Sequence, residues 1–135
     1  MKLLTLQDCL MLAQRCVTQM ISRGIATYKG RGKGKLYYVP QGGLRAAQLI
    51  AMVLEDRGLR LAADIVVDDI SCTGKTLQDI KNAIGDRAFT CVLVLRRTSC
   101  FCPDFFGYVE ESDKYVLFPW EVNSVTVESV TNDNH

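Results

Sequence analysis

A chain of 135 residues, 48% hydrophobic and 23% charged, has room for one domain with a buried core, and this balance excludes a disordered or fibrous class. A formal net charge of +1 excludes a global field that would draw the chain to nucleic acid or to a membrane, so anion binding must come from local arrangement. No stretch is long and apolar enough to span a bilayer, and Gln7 and Asp8 interrupt the apolar start, so neither a membrane partner nor a secretory signal is expected.

The six cysteines (Cys9, Cys16, Cys72, Cys91, Cys100 and Cys102) are therefore expected to be reduced, in a cytoplasmic setting. Cys100 and Cys102 form a CxC pair, but no second pair stands at zinc-site spacing, so the cysteines read as structural or incidental.

The first helix is predicted over residues 5–22. Leu6, Leu10, Ala13, Val17 and Met20 recur at helical spacing, Thr5 and Asp8 form a capping-box pattern, and Gly24 ends it. The stretch Lys29-Gly30-Arg31-Gly32-Lys33-Gly34-Lys35 alternates glycine with cation and leaves nothing to bury, so it reads as a basic loop. A short strand, 36–39, stops at Pro40, and Gln41-Gly42-Gly43 reads as a turn. The second helix is predicted over 44–55, with Leu44, Ala47, Ile50, Ala51 and Leu54 apolar and Gly58 as its stop. The continuous apolar run in 63–67 predicts a strand buried on both faces. A third helix over 76–84, an apolar strand over 88–95, and later strands at 108–109, 115–118 and 122–130 complete one domain over 1–130, with a polar tail at 131–135. Strands alternating with helices predict an α/β fold, a Rossmann-like, mainly parallel sheet flanked by helices. Ligands bind such sheets beyond the carboxyl ends of the strands.

Two loops leave strands in that direction, and the stretch from Ile65 to Thr76 is the more informative. A buried strand delivers Asp68 and Asp69, and a hydroxyl-rich loop, Ser71-Cys72-Thr73-Gly74-Lys75-Thr76, then opens a helix. Successive backbone N–H groups at a helix start form an anion-binding concavity, and Thr73 and Thr76 can add donors. Adjacent carboxylates suit ribose hydroxyls or a magnesium-bound sugar pyrophosphate. Gly74-Lys75-Thr76 is not a Walker A loop, because that motif needs glycine where Asp69 stands. Asp68 and Asp69 are not a phosphorelay receiver pair, which would come on the first strand.

From Val66 to Thr76 the chain resembles the phosphoribosyl-pyrophosphate signature of type I phosphoribosyltransferases: an apolar strand, two acids, then Thr-Gly-x-Thr. Val39-Pro40-Gln41-Gly42-Gly43-Leu44 is similar to that family's pyrophosphate loop. Leu95-Arg96-Arg97-Thr98, Pro103 to Tyr108, and Asp113 to Val116 resemble the base-binding end of the hypoxanthine-guanine branch, and Phe118-Pro119-Trp120-Glu121 resembles the ending of related purine and xanthine enzymes.

The resemblance implies a set of roles. Asp68 and Asp69 would bind the ribose hydroxyls and the Mg²⁺-bound substrate, and Glu121 falls near a carboxylate that can hold a second Mg²⁺. Ser71, Thr73, Gly74, Lys75 and Thr76 would wrap the 5′-phosphate, and Gln41, Gly42 and Gly43 would meet the pyrophosphate. Arg96 would reach the purine 6-oxo group and Tyr115 would stack on the base. The plainer alternatives are a surface cation at a strand end for Arg96, a core tyrosine for Tyr115 and a solvated charge for Glu121.

Two departures from the family stand out. Cys72 occupies the position of an aspartate near the purine ring that assists proton transfer, and a thiol is a poor stand-in for a carboxylate base near neutral pH. Between Gly43 and Asp68 there is room for one helix and one strand only, so the long mobile loop of the purine enzymes is missing. Gln41 also replaces a basic residue of some relatives. The basic loop 29–35 either folds over the phosphates or is a solvated connector. Three readings follow, in this order: a compact purine-type phosphoribosyltransferase using phosphoribosyl pyrophosphate, a purine base and Mg²⁺, possible as a homodimer; a non-catalytic protein that binds phosphoribosyl pyrophosphate or a nucleotide and reports to a partner; and a nucleic-acid-binding protein using Lys29, Arg31, Lys33 and Lys35.

Overall fold

The computed structural model describes residues 1–28 and 32–121. In chain order the elements are β1 (Lys2–Leu3), α1 (Leu6–Ser22), β2 (Ala26–Thr27), β3 (Leu36–Tyr38), α2 (Gly42–Asp56), β4 (Arg60–Leu61), β5 (Asp64–Ser71), α3 (Lys75–Ile84), β6 (Ala88–Arg96), β7 (Phe105–Glu110) and β8 (Val116–Leu117), with 3-10 turns at Gly85–Arg87 and Pro119–Glu121. Four strands form an all-parallel sheet in the order β3-β5-β6-β7. Two small pairs flank it: β1 with β8, parallel, and β2 with β4, antiparallel. This is the α/β architecture that the alternation of strands and helices predicts.

Helix α1 starts where the capping box places it. The Thr5 hydroxyl accepts from the Asp8 N–H at 3.0 Å and the Asp8 carboxylate accepts from the Thr5 N–H at 2.9 Å. Its buried stripe is Cys9, Leu12, Ala13, Cys16, Val17 and Met20. Leu6, expected on the inner face, is exposed in the first turn, and Cys9, Leu12 and Cys16 fill that face instead. They join Ala46, Ile50 and Leu54 of α2 and Ile65, Val67, Cys91, Leu93 and Phe105 of the sheet in one core. Each fully buried aliphatic side chain there contributes about 1.5–3 kcal/mol. Helix α3 lies apart from this core, against β6, with Leu77 as its one buried residue. Strand β7 is an edge strand, and the Gln19 amide blunts it, donating to the Phe106 carbonyl at 2.7 Å and accepting from the Phe106 N–H at 3.1 Å.

Two sequence expectations need correction. Helix α2 begins at Gly42, so the glycine pair forms its first turn rather than a separate turn before it. Strand β5 does not stop at Val67 but runs to Ser71, because parallel pairing with β6 continues through Asp68↔Val92 and Ile70↔Val94. Of the two readings of the basic loop, its described part agrees with the connector: it does not approach the loop after β5. Gly34 N–H donates to the Leu61 carbonyl at 3.0 Å and Lys35 N–H to Asp64 Oδ1 at 2.9 Å, which fixes it at the amino end of β5. The loop after β5 is at the other end, roughly 20 Å away at about 3.3 Å per strand residue. The predicted strand at 122–130, the tail at 131–135 and residues 29–31 of the basic loop lie outside the described residues. Among the described residues, no helix is long and apolar enough to cross a membrane.

Candidate functional site

At the carboxyl ends of β3, β5 and β6 opens a cavity of about 870 Å³, within the range of small-molecule sites. The parallel sheet sends three loops to this end. Val39, Pro40, Gln41 and Gly42 come from the loop after β3, and Asp68, Asp69, Ile70, Cys72 and Thr76 from β5 and the start of α3. Arg96 ends β6, and Tyr115, Phe118, Trp120 and Glu121 arrive from beyond β7. Residues from Gln41 to Glu121 that were singled out for separate reasons thus face one space.

The loop after β5 is braced from behind. Ser71 is buried and its hydroxyl shares a hydrogen bond with that of Ser99 at 3.0 Å. The Thr98 hydroxyl donates to the Cys72 carbonyl at 2.9 Å, and the Cys100 N–H to the Thr73 carbonyl at 2.9 Å. Gly74 is left-handed at φ +88°, and a Cβ there would stand 2.6 Å from the Phe101 nitrogen. Only glycine allows both the turn and the close packing. Helix α3 follows with no side-chain cap on its Gly74 N-cap and no acid in its first turn. The Lys75 N–H donates to the Thr73 hydroxyl at 3.2 Å, and the next N–H groups of the first turn remain open to an anion.

Helix α2 starts in a similar way. Gln41, its N-cap, makes no side-chain hydrogen bond, and no acid lies in the first turn. Gln41 is the one non-glycine with positive φ among the described residues, at φ 73° and ψ −108°. Such a conformation costs about 1–3 kcal/mol and persists where function requires it. Gly42 is needed for a different reason. A Cβ on it would lie 1.8 Å from Asp69 Oδ2, so the start of α2 rests directly on that carboxylate.

Asp68 and Asp69 are half-buried neighbours near the end of β5. Burial, then the charge of Asp69 beside it, pushes the Asp68 carboxyl up to about 7. Burial raises Asp69 as well, and donors from Asp68, the Ile70 N–H and Trp120 partly offset this. The Trp120 indole N–H is buried and makes no hydrogen bond of normal geometry. It is close enough to Asp69 to favour the charge without being bonded to it. Trp120 stacks on Phe118, with ring centroids 4.9 Å apart and planes 12° from parallel.

The predicted site residues divide into two groups. Gln41, Gly42, Asp68, Asp69, Cys72, Thr76, Arg96, Tyr115 and Glu121 line the cavity. Gly43, Ser71, Thr73, Gly74 and Lys75 do not: Gly43 is buried under the start of α2, Ser71 and Gly74 are buried in the braced loop, and Lys75 pairs with Asp79 at 3.4 Å on the surface. Arg96 is anchored, its terminal nitrogens donating to the Ser112 carbonyl at 3.0 Å and to the Lys114 carbonyl. Tyr115 is not a core residue. The residue is 51% exposed and its hydroxyl donates to Glu121 at 3.0 Å. The other Glu121 oxygen accepts from the Phe118 N–H at 3.1 Å. Among the described residues, no three acids, cysteines or histidines gather into a metal cluster.

Among the lining residues that sequence reasoning missed, Arg45 and Trp120 carry polar groups. Each left a signal. Arg45 is a cation placed where the helix dipole disfavours one, and Trp120 is the only tryptophan in the chain.

No family model and no curated protein matches the sequence. Solved structures do match the fold. The xanthine-guanine-hypoxanthine phosphoribosyltransferase of Helicobacter pylori is 17% identical, with a TM-score of 0.71 over 95% of this chain and 97% of that one. A purine phosphoribosyltransferase from Pyrococcus horikoshii is 17% identical, with a TM-score of 0.67 over 89% and 93%. The hypoxanthine phosphoribosyltransferase of Trypanosoma cruzi is 16% identical, with a TM-score of 0.57 over 78% and 77%. The chain has a type I phosphoribosyltransferase-like fold.

Proposed function

We propose that this protein is a compact phosphoribosyltransferase, which displaces pyrophosphate from phosphoribosyl pyrophosphate with a ring nitrogen of a purine base. The observation that carries the reading is the convergence of two helix starts whose N-cap side chains make no hydrogen bond, that of α2 at Gly42 and that of α3 with Thr76 in its first turn, on one cavity that also holds the Asp68–Asp69 pair. A ligand with an anionic group at each end and hydroxyls between them satisfies that arrangement. The α3 start would take the 5′-phosphate, the α2 start the pyrophosphate, and the carboxylates the ribose hydroxyls. Arg96 and Tyr115 at the far wall suit a planar base with an oxo group.

The chemistry of the donor set fits Mg²⁺. Two hard carboxylates, unneutralised and half-buried, match an ion that binds through one or two carboxylates plus substrate phosphates. Bound there through Asp68 and Asp69, Mg²⁺ would neutralise the leaving pyrophosphate. The chain's own part is positioning. The braced loop and the start of α2 hold the two anionic ends, so that C1′ faces the base in line with the leaving oxygen. The backbone N–H group at Gly42 supplies a fixed donor to the departing charge.

Mass spectrometry of the purified protein with Mg²⁺, phosphoribosyl pyrophosphate and a mixture of guanine, hypoxanthine, xanthine and adenine tests this reading. A nucleotide above the no-protein control, lost on joint Asp68→Asn and Asp69→Asn substitution, is the expected result. Absence of any nucleotide from folded protein would overturn turnover. One observation favours the second reading, binding without turnover. From residue 57 to residue 63 the chain passes directly from α2 through β4 to β5, and β4 pairs with β2 rather than extending over the cavity. Trp120 supplies the readout for that case, since quenching of the sole tryptophan reports occupancy without chemistry.

A glycine substitution tests the geometry. Gly42→Ala forces the Asp69 carboxylate to move, because the new methyl would overlap it. Asp69 is the mobile end of a side chain, so the fold should survive, with a melting temperature within about 5 °C of wild type. The affinity for Mg²⁺–phosphoribosyl pyrophosphate should fall at least about tenfold by isothermal titration. Unchanged affinity would mean that Asp69 is not part of the binding site.

A further inference from the structure

Five formally charged side chains line the cavity: Arg45, Asp68, Asp69, Arg96 and Glu121. The acids outnumber the cations, which is a poor balance for a ligand carrying several negative charges. Arg96 is anchored to the carbonyls of Ser112 and Lys114. Arg45 is exposed and has no hydrogen bond or ion pair to any described residue. It is the cavity's uncommitted cation among the described residues.

Its position is also costly for the helix. Arg45 follows Gly42, Gly43 and Leu44 at the start of α2, where the macrodipole already carries positive potential. Glycine is a poor helix former, the N-cap makes no side-chain bond, and a cation adds repulsion. A helix start that breaks three local rules together, facing a cavity, is arranged for something other than stability. Gln41 beside it is neutral, so the cationic charge on this side of the cavity comes from Arg45.

We propose that Arg45 is the residue that makes the cavity prefer a diphosphate-bearing ligand over a monophosphate one, its guanidinium holding the diphosphate at the start of α2. This rests on the proposed function, in which the α3 start takes the 5′-phosphate and the α2 start the pyrophosphate. A planar guanidinium can grip two phosphate oxygens at once, which a lysine ammonium cannot. The product nucleotide has no group at the α2 start, so Arg45 favours loading of substrate and release of nucleotide.

The test is titration of the full chain with phosphoribosyl pyrophosphate, with inorganic pyrophosphate and with guanosine 5′-monophosphate, each with Mg²⁺, followed by Trp120 fluorescence and calorimetry. Arg45→Gln should raise the Kd of both diphosphate ligands about ten- to a hundredfold, as expected for a charge-assisted pair, and leave that of the nucleotide within about twofold. Arg45→Lys should recover only part of the loss. The melting temperature of Arg45→Gln should equal or exceed that of wild type, since a cation leaves a helix start. Equal weakening of all three ligands, or no weakening of any, overturns the role of Arg45 while the proposed function stands. Wild-type protein that binds none of the ligands overturns the proposed function and this inference with it.

Discussion

Asp68→Asn is expected to make the ligand-free protein more stable at neutral pH while impairing the proposed phosphoribosyl transfer. In the folded state burial and the neighbouring charge of Asp69 raise the Asp68 carboxyl to about 7, from a usual value of 3.8. A carboxyl raised on folding stabilises the native state in its protonated form. Its contribution is complete below about pH 4 and is lost as pH rises through 7. Above that the folded protein holds a carboxylate it would rather protonate, at a cost on the order of 2–4 kcal/mol. Asparagine removes the charge and keeps the acceptor that receives the Asp69 N–H at 2.8 Å.

The melting temperature of Asp68→Asn should therefore exceed that of wild type by about 5–15 °C at pH 7.5, and the gap should close by about pH 4. Over the same substitution, kcat/KM for phosphoribosyl transfer should fall by about 10²–10³-fold, because a developing charge loses its preorganised partner. Mg²⁺ with phosphoribosyl pyrophosphate should stabilise wild type more than the variant. Scanning calorimetry at several pH values beside a transfer assay reads all three. A melting temperature that does not rise at pH 7.5 would show that the carboxylate pair is already relieved in the free protein.

Cys72→Asp is expected to raise turnover. Cys72 is exposed and lines the cavity, and its carbonyl is held by the Thr98 hydroxyl, so its side chain can change without disturbing the braced loop. A thiol is a weak hydrogen-bonding group, while a carboxylate at this point can accept a proton from the incoming purine. It also sits ahead of α3, where the helix dipole favours negative charge. General-base assistance is worth about 10²–10⁴-fold when fully positioned, so a gain of about 10–100-fold in kcat is expected, with the Kd of phosphoribosyl pyrophosphate changed by less than about threefold. Single-turnover kinetics separates the two quantities. If wild type binds phosphoribosyl pyrophosphate without turnover and Cys72→Asp gains turnover, the natural protein is a binder on a transferase scaffold. If the variant binds normally and gains nothing, proton transfer is not what limits the chain.

Local sequence determined the parts of this protein whose causes are local. The capping box of Thr5 and Asp8, the apolar runs of β5 and β6, and the acid pair followed by Thr73-Gly74-Lys75-Thr76 were legible because each depends on residues a few positions apart. Boundaries set by pairing were not. Asp68 and Asp69 look like the end of a strand, yet the ladder with β6 carries β5 on to Ser71, and two adjacent glycines look like a turn until α2 begins on them. The two-residue strands β1 and β2 exist only because β8 and β4, far along the chain, lie beside them.

Tertiary structure alone decided the membership of the site. Parallel strand direction puts the described part of the basic loop at the amino end of the sheet and the loop after β5 at the carboxyl end, although composition invites pairing them. It turns Ser71 inward to Ser99 and Lys75 outward to Asp79, and it brings Arg45 and Trp120 to one cavity from opposite ends of the motif-bearing stretch. The physical reason is that a motif states which groups are available, whereas register and crossover direction state which end of the sheet they reach and which way they face.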